Sequence, residues 1–184
     1  MVTSPGGEGM KSRVLARCAL FAASMCLCAW ISLPLGDTAI TLQTFALFLT
    51  LELLGGKYGS LVCMLYLLLG GVGLPVFSGF RGGVGMLLGT TGGYLWGFLA
   101  CALLYWLMTS LLGNRFRVIA CLVGLVLCYT LGTLWFCGVY LRSGSAISIG
   151  FVLLKCVVPF VMPDLLKLSL ALVLSKKLKR ILSA

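Results

Sequence analysis

Asp164 and Lys167 are the residues of this chain best suited to do chemistry. They stand three apart in an otherwise apolar stretch, so on a helix both project from nearly the same face. A carboxylate accepts hydrogen bonds and an ammonium donates three. Two readings stay open. The pair is either a mutual salt bridge or a ligand site, with Asp164 accepting ligand N–H groups and Lys167 donating to a ligand carbonyl or carboxylate. Other reactive types are sparse. The chain has no histidine, which removes ordinary Ser-His-Asp and Cys-His catalysis. The cysteines fall in or beside apolar segments with no Cys-x-x-Cys pair, and read as buried small residues, neither metal ligands nor redox centres. No catalytic residue and no metal site is expected. Glu52, beside Lys57, reads as a marker of the membrane boundary, and Lys155 as a snorkelling side chain.

The elements that position the pair follow from composition. Of 184 residues, 61% are hydrophobic, and four acids face fourteen bases, too little polar surface for a soluble globule of this length. The apolar runs are long and unbroken, so the expected fold class is an all-α integral membrane protein. Charges at membrane depth are costly unless paired or facing a polar cavity, which favours a functional role for Asp164 and Lys167. The net charge of +10 raises nucleic acid as a partner. The bases, however, flank apolar segments and form no aromatic-interleaved patch, so a lipid bilayer is expected and a nucleic acid is not.

Six spans are predicted. A polar, flexible N-terminus (1–11) precedes a first span over about 14–33, too long for a secretory signal core and followed by further spans. Ala19 and Ala23, with Ala16 and Ala22 nearby, give it a small-residue face for close helix approach. An outer turn at 34–38 leads to a short second span (41–54), and a third begins at Lys57 and ends near 69. The loop over 70–89 is rich in glycine and contains Pro75. It is not a phosphate loop, since Leu88 stands where Gly-x-Gly-x-x-Gly needs glycine. Gly85, Gly89, Gly93 and Gly97 recur every four residues into the fourth span, which ends near 112; as one helix edge they would admit a neighbouring helix, a flat ligand or both.

A basic turn (113–117), a fifth span (118–141) and a turn at 142–145 follow. Pro159 and Pro163 divide the remainder into a short segment (146–158) and a sixth span starting at Pro163 and reaching about 181. Asp164 and Lys167 then fall in the first turn of that span, where the helix N-terminus favours the carboxylate. Ten of the fourteen Lys and Arg residues lie on one side of this arrangement, against Arg81 and Arg142 on the other, so both termini are expected in the cytoplasm.

Several motifs in order resemble the BioY family, the biotin-specific S components of energy-coupling factor (ECF) transporters. They are Ile40-Thr-Leu-Gln-Thr44, Gly55-Gly-Lys-Tyr-Gly-Ser60, Tyr66-Leu-Leu-Leu-Gly-Gly-Val-Gly-Leu-Pro-Val-Phe77, Gly82-Gly83, Thr91-Gly-Gly-Tyr-Leu-x-Gly-Phe98 and Pro159-Phe-x-x-Pro-Asp-x-x-Lys167. Two stretches depart from the family pattern: Thr90 replaces a usual proline, and Gly36-Asp-Thr-Ala stands where the family tends to have Pro-Val-Pro.

The resemblance implies a single six-helix S-component domain over 12–182 that binds biotin and is not an enzyme. Asp164 and Lys167 would meet the ureido group, Gly92, Gly93 and Tyr94 would bracket the fused rings, and Phe77 would cover them. Gln43 joins the binding set, and Arg81 is the candidate for the tail carboxylate. It also implies a transmembrane coupling protein docked on Ala19 and Ala23, two ATPase subunits, no cofactor on this chain, and residence in the cell membrane. The competing readings are an S component for another vitamin and a self-associating secondary carrier or channel.

Overall fold

In hydrocarbon a backbone must satisfy its own polar groups, and the apolar runs of this chain do so as helices. The computed structural model describes residues 5–35, 38–142, 144 and 148–183. The elements are α1 (Pro5–Trp30), β1 (Ser32–Leu35), β2 (Thr38–Thr41), α2 (Gln43–Gly71), α3 (Val84–Leu88), α4 (Gly92–Leu112), a 3-10 turn (Asn114–Phe116), α5 (Arg117–Arg142), α6 (Ile149–Cys156) and α7 (Val158–Ser183).

Five helical stretches among the described residues are long and apolar enough to cross a membrane, and α2 supplies two crossings. Gly55, at φ 77° and ψ 172°, breaks its helix in a conformation that favours glycine. The Gln43 amide donates to the Tyr66 hydroxyl, 23 residues away, where a straight helix would separate the two by about 35 Å. The limbs 43–54 and 56–71 therefore run antiparallel, and the bundle has six crossings. As the central element, α2 packs on α1, α4 and α7. Leu20, Leu68, Leu107, Val126, Leu154 and Leu170 are exposed on the outside, where lipid would lie. All nine cysteines are free thiols, and all but Cys28 are buried.

The glycines of α4 and α5 bring those helices into backbone contact. A Cβ at Gly93 or Gly97 would overlap Trp135 or Cys128 of α5, and one at Gly124 or Gly132 would overlap Cys101 or Tyr94 of α4. The four-residue ladder is not continuous, however. Gly89 is extended (φ −71°, ψ −178°) between α3 and α4, and Gly85 faces open space.

Helix α1 begins at Pro5, and proline suits a first helical position. Three further expectations are corrected. The expected outer turn is an antiparallel hairpin pairing Ser32 with Thr41 and Leu35 with Thr38; Gly36 and Asp37 at its tip lie outside the described residues, as do Ser143 and Ser145 of the turn at 142–145. The last crossing starts at Val158. Pro159 takes the first-turn position assigned to Pro163, which lies inside the helix. Asp164 and Lys167 consequently sit in the second and third turns, beyond the reach of the N-terminal dipole. Glu52 does not mark a boundary with Lys57: its side chain is fully buried and lies 3.4 Å from Arg117 Nε. Lys155 is exposed, with its ammonium 5.2 Å from the Phe151 ring centroid.

Candidate small-molecule site

Asp164 is a buried charge held by hydrogen bonds from three helices. Burial of a carboxylate demands partners, and three helices supply them. Thr44 Oγ1 of α2 donates to Oδ1 at 2.7 Å, Tyr129 OH of α5 donates to Oδ2 at 2.6 Å, and Lys167 Nζ, one turn along α7, donates to Oδ1 at 2.7 Å. Asp164 is 3% exposed and Lys167 7%, so the pair is shielded from solvent. Thr44 reaches it because the hairpin delivers the chain to α2 directly: Leu42 N donates to the carbonyls of Cys28 and Ile31 at the end of α1, fixing where α2 starts.

The pair borders a cavity of about 300 Å³, at the small end of the range for ligand sites. Every element except α1 and the 3-10 turn contributes to its lining. Leu95, Phe98 and Leu125 form an apolar wall with Phe77, Met86 and Phe160, and Tyr94 and Cys128 line the side between α4 and α5. At the other end are Ser32 and Pro34 of the hairpin and Ser78, Gly79 and Arg81 of the loop after α2, the last two of them exposed. The mouth therefore lies between hairpin and loop.

That loop is built to stay over the cavity. Phe77 is buried, packs edge-on to Tyr66 (centroids 5.4 Å apart, 82°), and occupies the space that a Cβ on Gly70 would fill. Its N–H donates to the Arg81 carbonyl at 2.9 Å, closing the loop tip, and Gly83 N donates to Gly70 O at 2.7 Å, closing the base. Gln43 links the hairpin to the loop: its oxygen accepts from Thr41 Oγ1 at 2.9 Å, its amide donates to Tyr66 OH, and Tyr66 donates to Val76 O at 3.0 Å.

Six of the eight expected binding residues line this one cavity: Asp164, Lys167, Tyr94, Phe77, Gln43 and Arg81. Gly92 and Gly93 do not. Gly92 is pressed on the Leu87 carbonyl and Gly93 on Trp135, so close packing between elements accounts for both. Ala19 and Ala23 are exposed on α1, away from the cavity. Thr44 and Tyr129, the two hydroxyls holding Asp164, were not among the expected binding residues. Tyr129 carried a signal, since a hydroxyl in the middle of an apolar span needs a partner. Phe160 stood in the Pro159–Lys167 motif without a role assigned to it, and Cys156 carried no signal.

A closed bundle with a loop-covered, mostly apolar cavity and one buried, hydrogen-bonded charge pair defines a small-molecule-binding membrane protein. Comparison with known proteins narrows the class. The chain belongs to the BioY family, whose sequence pattern matches residues 2–184. It is 40% identical over 171 residues to the biotin transporter BioY of Thermotoga maritima, covering 92% of this chain and 97% of that protein. It is 33% identical over 170 residues to the probable biotin transporter BioY of Pyrococcus horikoshii, covering 92% and 98%. Among solved structures, the S component for biotin from an ECF-type ABC transporter superposes with a TM-score of 0.81 at 26% identity, over 97% of this chain and 95% of that one.

Proposed function

We propose that this chain is the biotin-binding subunit of an importer whose energy comes from partner subunits. The observation that carries the reading is the Asp164 carboxylate, buried and aimed at a ligand-sized cavity in a BioY-family chain. Three donors occupy three of its roughly four acceptor positions, and Lys167 uses one of its three N–H donors on it. What remains is one acceptor position on the carboxylate beside spare ammonium donors. A cyclic urea complements that remainder, with one N–H to Asp164 and its carbonyl to Lys167, while Leu95, Phe98 and Leu125 face the fused rings. The valerate tail then runs to the mouth, where Arg81 is the cation available to its carboxylate.

Topology supports uptake from outside. Arg17, Lys57, Arg115, Arg117 and the bases of 176–180 gather at the end of the bundle opposite the mouth, so both termini are read as cytoplasmic and the cavity as opening outward across the cytoplasmic membrane. The exposed Ala19 and Ala23 suit close docking of a transmembrane coupling protein. ATP would be consumed by two ATPase partners, with no cofactor resident on this chain. Equilibrium binding of radiolabelled biotin to the detergent-solubilised protein tests the proposal. Saturable binding that riboflavin, thiamine and cobalamin fail to displace is expected; displacement by one of them, or no binding, would reject biotin as the ligand.

A further inference from the structure

Trp30, the last residue of α1, touches no part of the cavity, yet it is bound to the loop that covers it. Its indole Nε1 donates to the Pro75 carbonyl at 2.7 Å, and its ring stacks on Phe80 with centroids 5.0 Å apart and planes 25° from parallel. Phe80 is an unusual residue to find at a loop tip. It is 63% exposed and has φ 57°, the left-handed region, which bulky side chains rarely enter. The backbone there does not favour a phenylalanine, and the stack on Trp30 gives its ring a specific partner. Two residues after Trp30 the chain becomes β1, whose Ser32 and Pro34 line the mouth opposite Ser78, Gly79 and Arg81. The indole thus spans the two segments that must separate for a ligand to pass.

We propose that Trp30 is a positioning residue, tying the 72–83 loop to the α1–β1 junction and setting how often the mouth opens. The proposal rests on the ligand-binding reading of the cavity. The tie lies outside the cavity, since neither Trp30 nor its partners Pro75 and Phe80 belong to the lining, so a ligand has no differential interaction with it. Weakening it therefore raises association and dissociation rates together and leaves affinity nearly unchanged. Residues that contact the ligand behave differently, because their loss shifts the equilibrium.

The test uses Trp30→Leu, Trp30→Phe, which keeps the stack and loses the donor, and Phe80→Leu at an exposed position. Stopped-flow or filter-binding measurement of both rate constants for labelled biotin, counted on the binding-competent fraction, should show both rising by about tenfold in Trp30→Leu and less in Trp30→Phe, from the loss of a stack and a hydrogen bond. The dissociation constant should stay within about threefold, since the tie is equal in free and bound protein. Rates within about twofold of the parent in Trp30→Leu and Phe80→Leu overturn the proposal, as does a faster dissociation with unchanged association, which would make Trp30 part of the binding contact. Amide hydrogen exchange of the ligand-free protein supplies an independent readout. Faster exchange in both leucine variants, confined to the 72–83 loop and the adjoining hairpin, is expected, and unchanged exchange overturns the tie. Should the parent chain not bind biotin, the biotin reading fails and hydrogen exchange alone still judges the tie.

Discussion

Two carboxylates are buried among the described residues, and they are treated differently. Asp164 accepts three short hydrogen bonds from three helices and borders open volume. Glu52, with no side-chain exposure, has Arg117 Nε at 3.4 Å and the buried Tyr105 beside it, no well-formed hydrogen bond on either oxygen among the described residues, and no part in the cavity lining. Burial alone thus does not separate a binding site from a structural pair. What separates them is hydrogen-bonding geometry, which holds Asp164 in one orientation, and a space into which that orientation points. Glu52 sits just before the Gly55 reversal and Arg117 opens α5, so their attraction links the base of α2 to the start of α5. Breaking either pair should therefore give a different signature.

The largest effect is expected from Asp164→Asn. It leaves Lys167 buried without its counter-charge and exchanges one accepting oxygen for an NH2 that can only donate, costing about 2–5 kcal/mol of biotin binding, or roughly thirtyfold to several thousandfold in Kd. Titration calorimetry on the purified variant measures this. Tyr129→Phe sharpens the contrast by removing one of the three donors and nothing else. Loss of a hydrogen bond to a charged group costs about 1.5–3 kcal/mol, divided between fold stability and the orientation of Asp164 toward the ligand, so binding should weaken by about tenfold or less while the protein still folds. Glu52→Gln should change biotin affinity by less than about twofold and act on thermal stability alone, because Arg117 keeps 26% side-chain exposure and can be solvated at the inner end. A Glu52→Gln variant that lost affinity as Asp164→Asn does would erase the distinction between the two pairs.

Much of this was legible in the chain, for reasons that differ by residue. The Asp164–Lys167 spacing specifies a shared helix face whatever surrounds it, and Gly55-Gly56 signals a break wherever two short apolar runs meet. Pro163 was misread because a proline inside a helix is costly in isolation but tolerated where neighbouring structure compensates; the start at Val158 depends on α6 turning into α7, which no local pattern encodes. The glycine spacing from 85 to 97 is the same for a continuous helix and for the broken one observed, so only the conformation at Gly89 decides. Gly92 and Gly93 belong to a motif that resembles a ligand loop, yet their neighbours Leu87 and Trp135 come from other elements. The same holds for Thr44 and Tyr129, which meet Asp164 from 120 and 35 residues away. The hairpin was hidden by its brevity: four-residue strands, one holding Pro34, carry too little alternation to register.

Recognition of biotin turns on the contact between Asp164 and one ureido N–H. Its most direct test compares the Kd of biotin with that of biotin methylated on a ureido nitrogen, in the parent chain and in Asp164→Asn. If the carboxylate receives that hydrogen, methylation should weaken binding by at least about tenfold in the parent and by less than about threefold in the variant, a coupling that only a direct interaction produces. An equal penalty in both proteins would contradict it and place the ureido group elsewhere in the cavity.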